Sequence, residues 1–412
     1  SPPLSALCPA PLFAWRFRSP LVFLSGRSYL PSQTLLCPNR HLVEPALRRA
    51  PGLAAAPDDR IPSQQLATRH WYGAVLIVGS GPCGLLAALI ASRSGARVMI
   101  VDDNTHPGGY LRKSQAQING RPAVDWVAAV SVELDANPEV THLQESTVWG
   151  YRENNLLMIT ERTPAEKHVF QRGWKARACH VVVATGAIER NLVFNNNDRP
   201  GIMLASAVQA YLNEFGVIPG HSPIIFTNNS SAYQLAHELQ AAGTKVLGMV
   251  DSRPADAIGA EKDGLETPLY AGHQILTTHG GKHITAVTIR AEDGTTTRFD
   301  CDLLAVSGGW NPTAHLFSQS RGTLAFDEDL ASFVPDRAMQ KLTCVGAAAG
   351  MMNMAPAMAE TVTAIKAIID ECGFDIPPFT LTTLAPSPDY HLQPLWHVDG
   401  MTAGGKAFGV CP

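Results

Sequence analysis

Paired cysteines are absent from this 412-residue sequence, in which no Cys-x-x-Cys spacing occurs. Its eight cysteines stand singly at Cys8, Cys37, Cys83, Cys179, Cys301, Cys344, Cys372 and Cys411. The pattern argues against a zinc ribbon, an iron–sulfur site or a redox-active disulfide within the chain. So few cysteines in a long chain fit a reducing compartment, and we expect a cytoplasmic location.

Long apolar runs and basic runs are missing too. No stretch of about eighteen apolar residues occurs, so we expect no membrane span. Lys and Arg number 32 against 36 Asp and Glu, and without a basic face we expect no nucleic-acid partner. The 45% hydrophobic content is ordinary for a soluble globular protein, and the length allows two or more lobes.

The N-terminal region has little periodicity and an excess of basic residues. Residues 1–57 carry six arginines against the single acid Glu44, as organelle transit segments do. A clean amphipathic pattern is lacking, as are the three regions of a secretory signal. We interpret residues 1–70 as an irregular arm, either poorly ordered or in contact with a partner.

A glycine-rich turn between two apolar runs is the most informative feature that is present. Gly79-Ser80-Gly81-Pro82-Cys83-Gly84 follows the run 75–78 and opens a helix-like stretch, 85–94. A second apolar run, 98–101, ends at Asp102. A strand, a glycine turn, a helix, a strand and an acid in this order bind one end of a dinucleotide.

Each residue of this pattern has a physical role. Gly79 permits the tight turn, Gly81 lets a diphosphate approach the backbone, and Gly84 lets helix and strand pack closely. Asp102 is placed to bind an adenosine ribose and disfavours a 2′-phosphate, which favours NAD over NADP. The alternative is a crossover that uses its glycines only for turning. Cys83 is either a reactive thiol at a helix N-terminus or, as is more common, a small packed residue.

A second α/β unit begins at Pro223 and contains a strand, a helix at 231–242 and a further strand ending at Asp251. Its turn, residues 227–231, has no glycine, so side chains there would obstruct a diphosphate. The unit therefore has the architecture of a second nucleotide domain, but we expect no nucleotide in it.

The predicted fold class is α/β, a Rossmann-like two-dinucleotide-binding fold of the FAD/NAD(P)-binding type with an inserted second nucleotide-like domain. Residues 71–200 and 300–375 are assigned to the dinucleotide-binding domain and residues 201–299 to the insertion. Residues 376–412 are assigned to a C-terminal tail.

Five long and unusual phrases carry a family resemblance. They are Ala184-Thr-Gly-Ala-Ile-Glu-Arg190, Asn197-Asp-Arg-Pro-Gly-Ile-Met-Leu-Ala-Ser206, Phe226-Thr-Asn-Asn229, Ser307-Gly-Gly-Trp-Asn-Pro312 and Gly404-Gly-Lys-Ala-Phe408. With these phrases the chain resembles, over roughly residues 73–408, the alpha subunits of heterotetrameric sarcosine oxidases.

The resemblance implies a subunit of a complex that oxidatively demethylates sarcosine or a related secondary amine. In that family FAD and covalent FMN are associated with a beta subunit, the alpha subunit holds NAD⁺, and a C-terminal aminomethyltransferase-like domain binds folate. A flavin-bearing beta-like partner is therefore expected. The implied dinucleotide site consists of Gly79, Ser80, Gly81, Pro82, Cys83, Gly84, Asp102, Asp103, Gly108, Gly109, Val148, Ala184, Thr185, Gly186 and Gly346. Val148, taken to follow its strand, matches a position that often touches adenine; no catalytic residue and no metal ligand are predicted.

The sequence departs from the family in three places. Flavin-binding relatives have an Asp after the last strand, where this chain has Ala347 after Gly346, so NAD is expected and FAD is the alternative. The chain stops at Pro412, about where the folate domain should start, and the family's small N-terminal domain is not recognisable in residues 1–70. We therefore expect a fragment or a trimmed relative without folate machinery.

Two other functions stay open. One is a self-sufficient FAD-dependent NAD(P)H oxidoreductase, which needs a flavin site and a competent second nucleotide site. The other is a truncated, non-catalytic paralogue.

Overall fold

The structure is a computed structural model, and it describes residues 65–163, 169–375, 378–380, 389–400 and 406–407. The predicted arm up to residue 64 lies outside the described residues. The helices of the described part are α1 (Pro82–Arg93), α2 (Ala123–Ala136), α3 (Ala205–Phe215), α4 (Ala232–Ala241), α5 (His315–Gln319) and α6 (Met354–Glu371).

The strands are named in chain order. In the first half they are β1 (Gln65–Val78), β2 (Val98–Val101), β3 (Gln117–Ile118), β4 (Arg121–Pro122), β5 (Val140–Leu143), β6 (Ser146–Arg152), β7 (Leu156–Arg162), β8 (Val169–Val183), β9 (Ala187–Glu189) and β10 (Ile202–Leu204). In the second half they are β11 (Pro223–Thr227), β12 (Gly248–Asp251), β13 (Leu269–Ala271), β14 (Gln274–His279), β15 (Ala286–Arg290), β16 (Thr296–Asp300), β17 (Leu303–Ser307), β18 (Trp310–Pro312), β19 (Thr323–Asp327), β20 (Ser332–Arg337) and β21 (Leu342–Cys344).

The first sheet has the order β5-β2-β1-β8-β7-β6, and β21 also pairs with β8. Its parallel centre places Val75 opposite Val98 and Val78 opposite Val101, so both strands end at the same edge of the sheet. The long strand β8 pairs with β7 through residues 171–177 and with β21 through its last three residues, 181–183. The glycine turn after β1 and the acid after β2 are thereby brought side by side.

Strand β1 begins ten residues before the apolar run that predicted it. The prediction of an irregular arm is wrong for residues 65–70, which pair in parallel with β8. Residues 68–70 are exposed, so this part of the strand has no alternation of apolar and polar residues that would reveal it.

The first sheet is covered on both faces. Helices α1, α2 and α6 pack on one face over Val75, Ile77 and Ile100. Leu76, Val78 and other apolar side chains form a second cluster on the opposite face. A strand buried on both faces reads as a continuous apolar run, as 75–78 does.

The second sheet is parallel, with the order β10-β17-β11-β12-β13. Helices α3 and α4 cover one face, and the antiparallel sheet β14-β15-β16 packs on the other. Strand β17 lies between β10 and β11, so the predicted end of the insertion at residue 299 is wrong. The second sheet extends to Ser307 because β17 pairs along its whole length with β11.

Two connecting segments run between the sheets, and they pair antiparallel as β9 and β18. Part of the predicted C-terminal tail, residues 389–400, packs on the second sheet, and His397 bridges to Val193. Within the described residues, no helix combines the length and apolar character needed to cross a membrane.

Candidate dinucleotide-binding site

Two glycines of the turn are needed by the fold itself. Gly79 has a φ of +103°, and a Cβ there would lie 2.3 Å from the carbonyl oxygen of Ala184. A Cβ at Gly84 would lie 1.9 Å from the carbonyl oxygen of Gly79. Both contacts are with backbone atoms, which cannot move without distorting the fold. Only glycine at these two positions therefore allows the turn to pack this closely against β8 and α1.

Gly81 differs from these two glycines, because no protein atom occupies the space that a side chain at this position would fill. Its φ is −69°, and no heavy atom lies within 4 Å of a Cβ placed on it. The residue caps α1 without a side-chain hydrogen bond, and the space beside it at the helix N-terminus is open. This is the geometry that lets an anion reach backbone N–H groups and the positive end of the helix dipole.

Three further glycines, from two other parts of the chain, lie next to this turn. The N–H of Gly108 donates to the carbonyl of Ser80 at 2.8 Å, and a Cβ on Gly109 would lie 3.0 Å from Gly81 Cα. Gly346, which has a φ of +67°, lies against Cys83, whose Sγ would be 2.8 Å from an added Cβ. The backbone of Gly108 and Gly109 therefore lies next to Ser80 and Gly81.

The Ala184-Thr185-Gly186 phrase lies next to the turn at the end of β8. The N–H of Ala184 donates to the Val78 carbonyl at 2.8 Å, and Thr185 Oγ1 donates to the Thr313 carbonyl at 2.8 Å. Gly186 has a φ of +72° and open space where a Cβ would be. These residues stand at the same edge of the sheet as Gly79.

Asp102 is buried, and its carboxylate is already engaged by the protein. Oδ2 accepts hydrogen bonds from the Ser80 N–H at 2.5 Å and the Ser80 hydroxyl at 2.8 Å. Oδ1 accepts from the Asn104 backbone N–H and from Asn104 Nδ2, each at 2.8 Å. A carboxylate has about four acceptor positions. A ribose hydroxyl would therefore have to replace Asn104 or the Ser80 hydroxyl, and sequence reasoning missed both contacts.

Asp103 and Val148 complete the predicted set. Asp103 is exposed next to Asn104. Val148 lies inside β6, not after its strand as the sequence analysis placed it, and packs partly buried against the core. It is two residues from Ser146, whose N–H donates to the Asp102 carbonyl at 2.8 Å, so it stands on the acid side of the cleft.

Cys83 is a packed residue. Its side chain is buried against Gly346, and burial raises the pKa of its thiol to about 11. The protonated thiol is a poor nucleophile near neutral pH. Pro82 begins α1 at a position where the missing N–H costs nothing.

Ala347 lies in a 3-10 turn, Gly346–Ala349, which separates β21 from α6. Its methyl side chain cannot form a hydrogen bond, whereas the resemblance implies a carboxylate at this position in flavin-binding relatives.

The turn after β11 is filled with side chains. Thr227, Asn228 and Asn229 are completely buried. Asn229 Nδ2 donates to both the carbonyl and the hydroxyl of Ser307 at 3.1 Å. At the end of β12, Asp251 pairs with the buried Arg253 at 2.7 Å. The structure thus places protein atoms where the first turn leaves open space.

A family model and several known proteins match the sequence of the chain. Residues 77–146 match the model of the NAD(P)-binding Rossmann-like domain. The chain is 37% identical to sarcosine oxidase subunit alpha of Rhizobium meliloti (strain 1021), over 89% of this chain and 37% of that one. It is 40% identical to sarcosine oxidase subunit alpha of Corynebacterium sp. (strain P-1), over 81% of this chain and 36% of that one.

Among solved structures, the thioredoxin reductase of T. acidophilum superposes with a TM-score of 0.57 at 18% identity. The match covers 73% of this chain and 98% of that one. At this identity the likeness concerns the fold alone.

The fold and the glycine turn together define a chain with the two-dinucleotide-binding fold, as predicted. The chain is homologous to sarcosine oxidase subunit alpha, which confirms the resemblance read from the five phrases. It spans a little over a third of the length of these relatives.

Proposed function

We propose that this chain binds NAD and serves as the dinucleotide-binding part of a sarcosine oxidase-like complex. The complex would oxidise sarcosine or a related secondary amine, with the flavin chemistry in a partner subunit. The observation that carries the proposal is the open backbone at Gly81, found in a chain homologous to sarcosine oxidase subunit alpha.

The residues present fit a dinucleotide diphosphate. Gly81 and Gly109 lie against each other beside the start of α1, and a side chain on either would occupy the space that a diphosphate needs. The ribose is fitted less directly, since Asp102 must exchange one internal donor for a ribose hydroxyl. Asn104 Nδ2 is the simplest donor to replace because its residue is exposed at the surface.

The chain's own residues then have three tasks. Gly81 and its neighbours bind the diphosphate, Asp102 orients the adenosine ribose, and the negative charge of Asp102 and Asp103 disfavours a 2′-phosphate. Oxidation of a CH–NH bond removes a hydride and a proton, and in this proposal the partner's flavin accepts the hydride from the amine.

The identity of the bound dinucleotide tests the proposal most directly. The full chain, purified together with any partner it retains, is denatured, and the released small molecule is identified by mass. Recovery of NAD is expected. Recovery of FAD alone would replace the proposal by the flavin oxidoreductase alternative.

A pair of variants tests the ribose contact. Asp102→Ala is expected to weaken NAD binding by about tenfold or more, because a charge-assisted hydrogen bond to the ribose is lost. Asn104→Ala is expected to leave NAD binding unchanged or slightly tighter, because it frees Oδ1 of Asp102. Calorimetric titration measures both, and equal losses in the two variants would show that Asp102 serves the fold and does not bind ribose.

A further inference from the structure

The carboxyl ends of β11 and β17 form a second crevice, equivalent in position to the one that begins at Gly79. In doubly wound sheets such crevices are where nucleotides bind. Here an extended segment of the same chain, residues 389–398, lies in the crevice, and we call it the covering segment.

Backbone hydrogen bonds tie the covering segment to the turn after β11. The Ser230 N–H donates to the His391 carbonyl at 3.0 Å, and the Gln393 N–H donates to the Asn228 carbonyl at 2.9 Å. The Asn228 amide also donates to the carbonyls of Gln393 and Leu395, at 2.9 and 3.2 Å. One buried asparagine therefore recognises the segment as a β-strand would, through main-chain groups.

Side chains of the covering segment close the crevice on the side of β17. Leu392 Cδ1 and the Tyr390 hydroxyl would each lie 2.8 Å from a Cβ on Gly309, so both side chains pack directly against this residue. Trp396 Nε1 donates to the Gly308 carbonyl at 2.7 Å, and the Arg190 guanidinium lies 4.6 Å from the Trp396 ring centre. The segment thus contacts both strands that form the crevice.

The charges in the crevice suit a peptide carbonyl better than a phosphate. At the N-terminus of α4, the His391 carbonyl accepts from Ser230, where a phosphate would bind in a nucleotide site. Arg253 is nearby, but it is paired with Asp251 at 2.7 Å and with Glu261 at 3.1 Å. Two buried carboxylates against one guanidinium leave no positive charge for an anion, whereas a neutral carbonyl needs none.

We propose that the second crevice is a peptide-binding site whose ligand is the covering segment of the same chain. The crevice holds residues 389–398 in place of a nucleotide, and the chain consequently binds one dinucleotide and not two. The inference does not depend on which dinucleotide occupies the first site, nor on whether the complex oxidises an amine.

Hydrogen exchange of the full chain, followed by mass spectrometry without added ligand, tests the proposal. Amides of residues 389–398 are expected to be protected in the wild type. Asn228→Asp turns two donated hydrogen bonds into repulsions and is expected to speed their exchange by about tenfold or more. Trp396→Phe, which loses only the bond to Gly308, is expected to act in the same direction and is the milder variant if the first fails to fold.

Gln240→Glu is the matched control, because it adds the same charge to α4 away from the segment. It is expected to leave exchange of residues 389–398 unchanged. NADP⁺ or ATP at millimolar concentration should likewise leave it unchanged. Exchange in the wild type as fast as in an unstructured peptide, or exchange accelerated by either nucleotide, would overturn the proposal.

Discussion

At the scale of single residues, we expect Gly81 to be needed for dinucleotide binding and Gly84 to be needed for folding. An added Cβ meets no protein atom at Gly81 but would lie 1.9 Å from a backbone oxygen at Gly84. We expect Gly81→Ala to keep its stability to within about 0.5 kcal/mol. Its affinity for the dinucleotide should fall by about tenfold or more, since the methyl group occupies the approach of the diphosphate. Chemical denaturation and calorimetric titration measure the two effects.

The controls for Gly81 lie in the same chain. Gly84→Ala is expected to destabilise the fold by about 1–3 kcal/mol or more, because backbone must move. Gly281, which also has open space around it and no positive φ, should tolerate Ala without any change in either quantity. Undiminished dinucleotide binding in Gly81→Ala would exclude the proposed diphosphate position.

The Cys83 thiol makes stability depend on pH at the alkaline end. Burial raises its pKa from 9.0 to about 11, so the folded state retains the proton that the unfolded state loses. The resulting stabilisation is complete below pH 9 and is lost as the pH rises towards 11. We expect Cys83→Ser to lose less stability than the wild type between pH 8.5 and pH 10.5, measured by guanidinium unfolding.

The exposed Cys179 is the comparison for Cys83. Cys179→Ser is expected to leave the pH dependence of the wild type unchanged. If both variants showed the same pH dependence as the wild type, the buried thiol would not be the group that titrates. Burial also raises the pKa values of Cys301 and Cys344, to about 12. Both thiols therefore contribute to the loss of stability at alkaline pH, and part of that loss remains in every variant.

At the scale of elements, the sequence predicted those whose apolar residues are continuous or periodic. The buried residues of helix α2 recur at helical spacing, from Ala123 to Leu134. Helix α3 was missed although its pattern is amphipathic; its buried residues are Ala205, Val208 and Gln209. The first half of β1 was missed because its stability comes from pairing with β8, a contact distant in sequence.

Glu238 on α4 connects three elements that no sequence pattern linked. Its buried carboxylate accepts hydrogen bonds from Gln209 and Asn213 of α3, at 2.9 and 2.6 Å. It also accepts from the Gln115 N–H at 3.2 Å, in the loop that begins at Gly108. The loop that faces Gly81 is therefore held from the second sheet's helices.

Removing this carboxylate is expected to be costly. Glu238→Ala leaves the buried Gln209 amide and the half-buried Asn213 amide without this charged acceptor, and we expect a loss of about 2 kcal/mol in the free energy of unfolding. Glu214→Ala breaks the half-exposed pair with Arg112 on the same loop and should cost under about 1 kcal/mol. Urea unfolding measures both, and equal costs would mean that the Glu238 network does not hold the loop.

At the scale of the whole molecule, the sequence predicted the order of the two nucleotide-type domains along the chain. It did not predict where the inserted domain ends. The run that forms β17 is apolar and buried, and such a run fits either parallel sheet equally well. Only pairing with β11 decides that it belongs to the second sheet. The candidate site could likewise be predicted only in part. The sequence pattern identified its glycines, but it did not predict the hydrogen bonds that Ser80 and Asn104 donate to Asp102.

The two sheets are joined strongly enough that we expect them to unfold together. Connecting strands β9 and β18 pair with each other, the Arg190 N–H donates to the Gly309 carbonyl at 2.7 Å, and the Glu238 network spans the first-sheet loop and the second-sheet helices. Scanning calorimetry of the full chain should therefore show one transition for the described region. NAD at about a hundred times its Kd should raise its midpoint by about 4 °C, since ligand binding to the folded state adds about 2.7 kcal/mol. Two transitions, only one of them shifted by NAD, would show instead that the sheets are energetically independent and that the second sheet does not support the loop at Gly108.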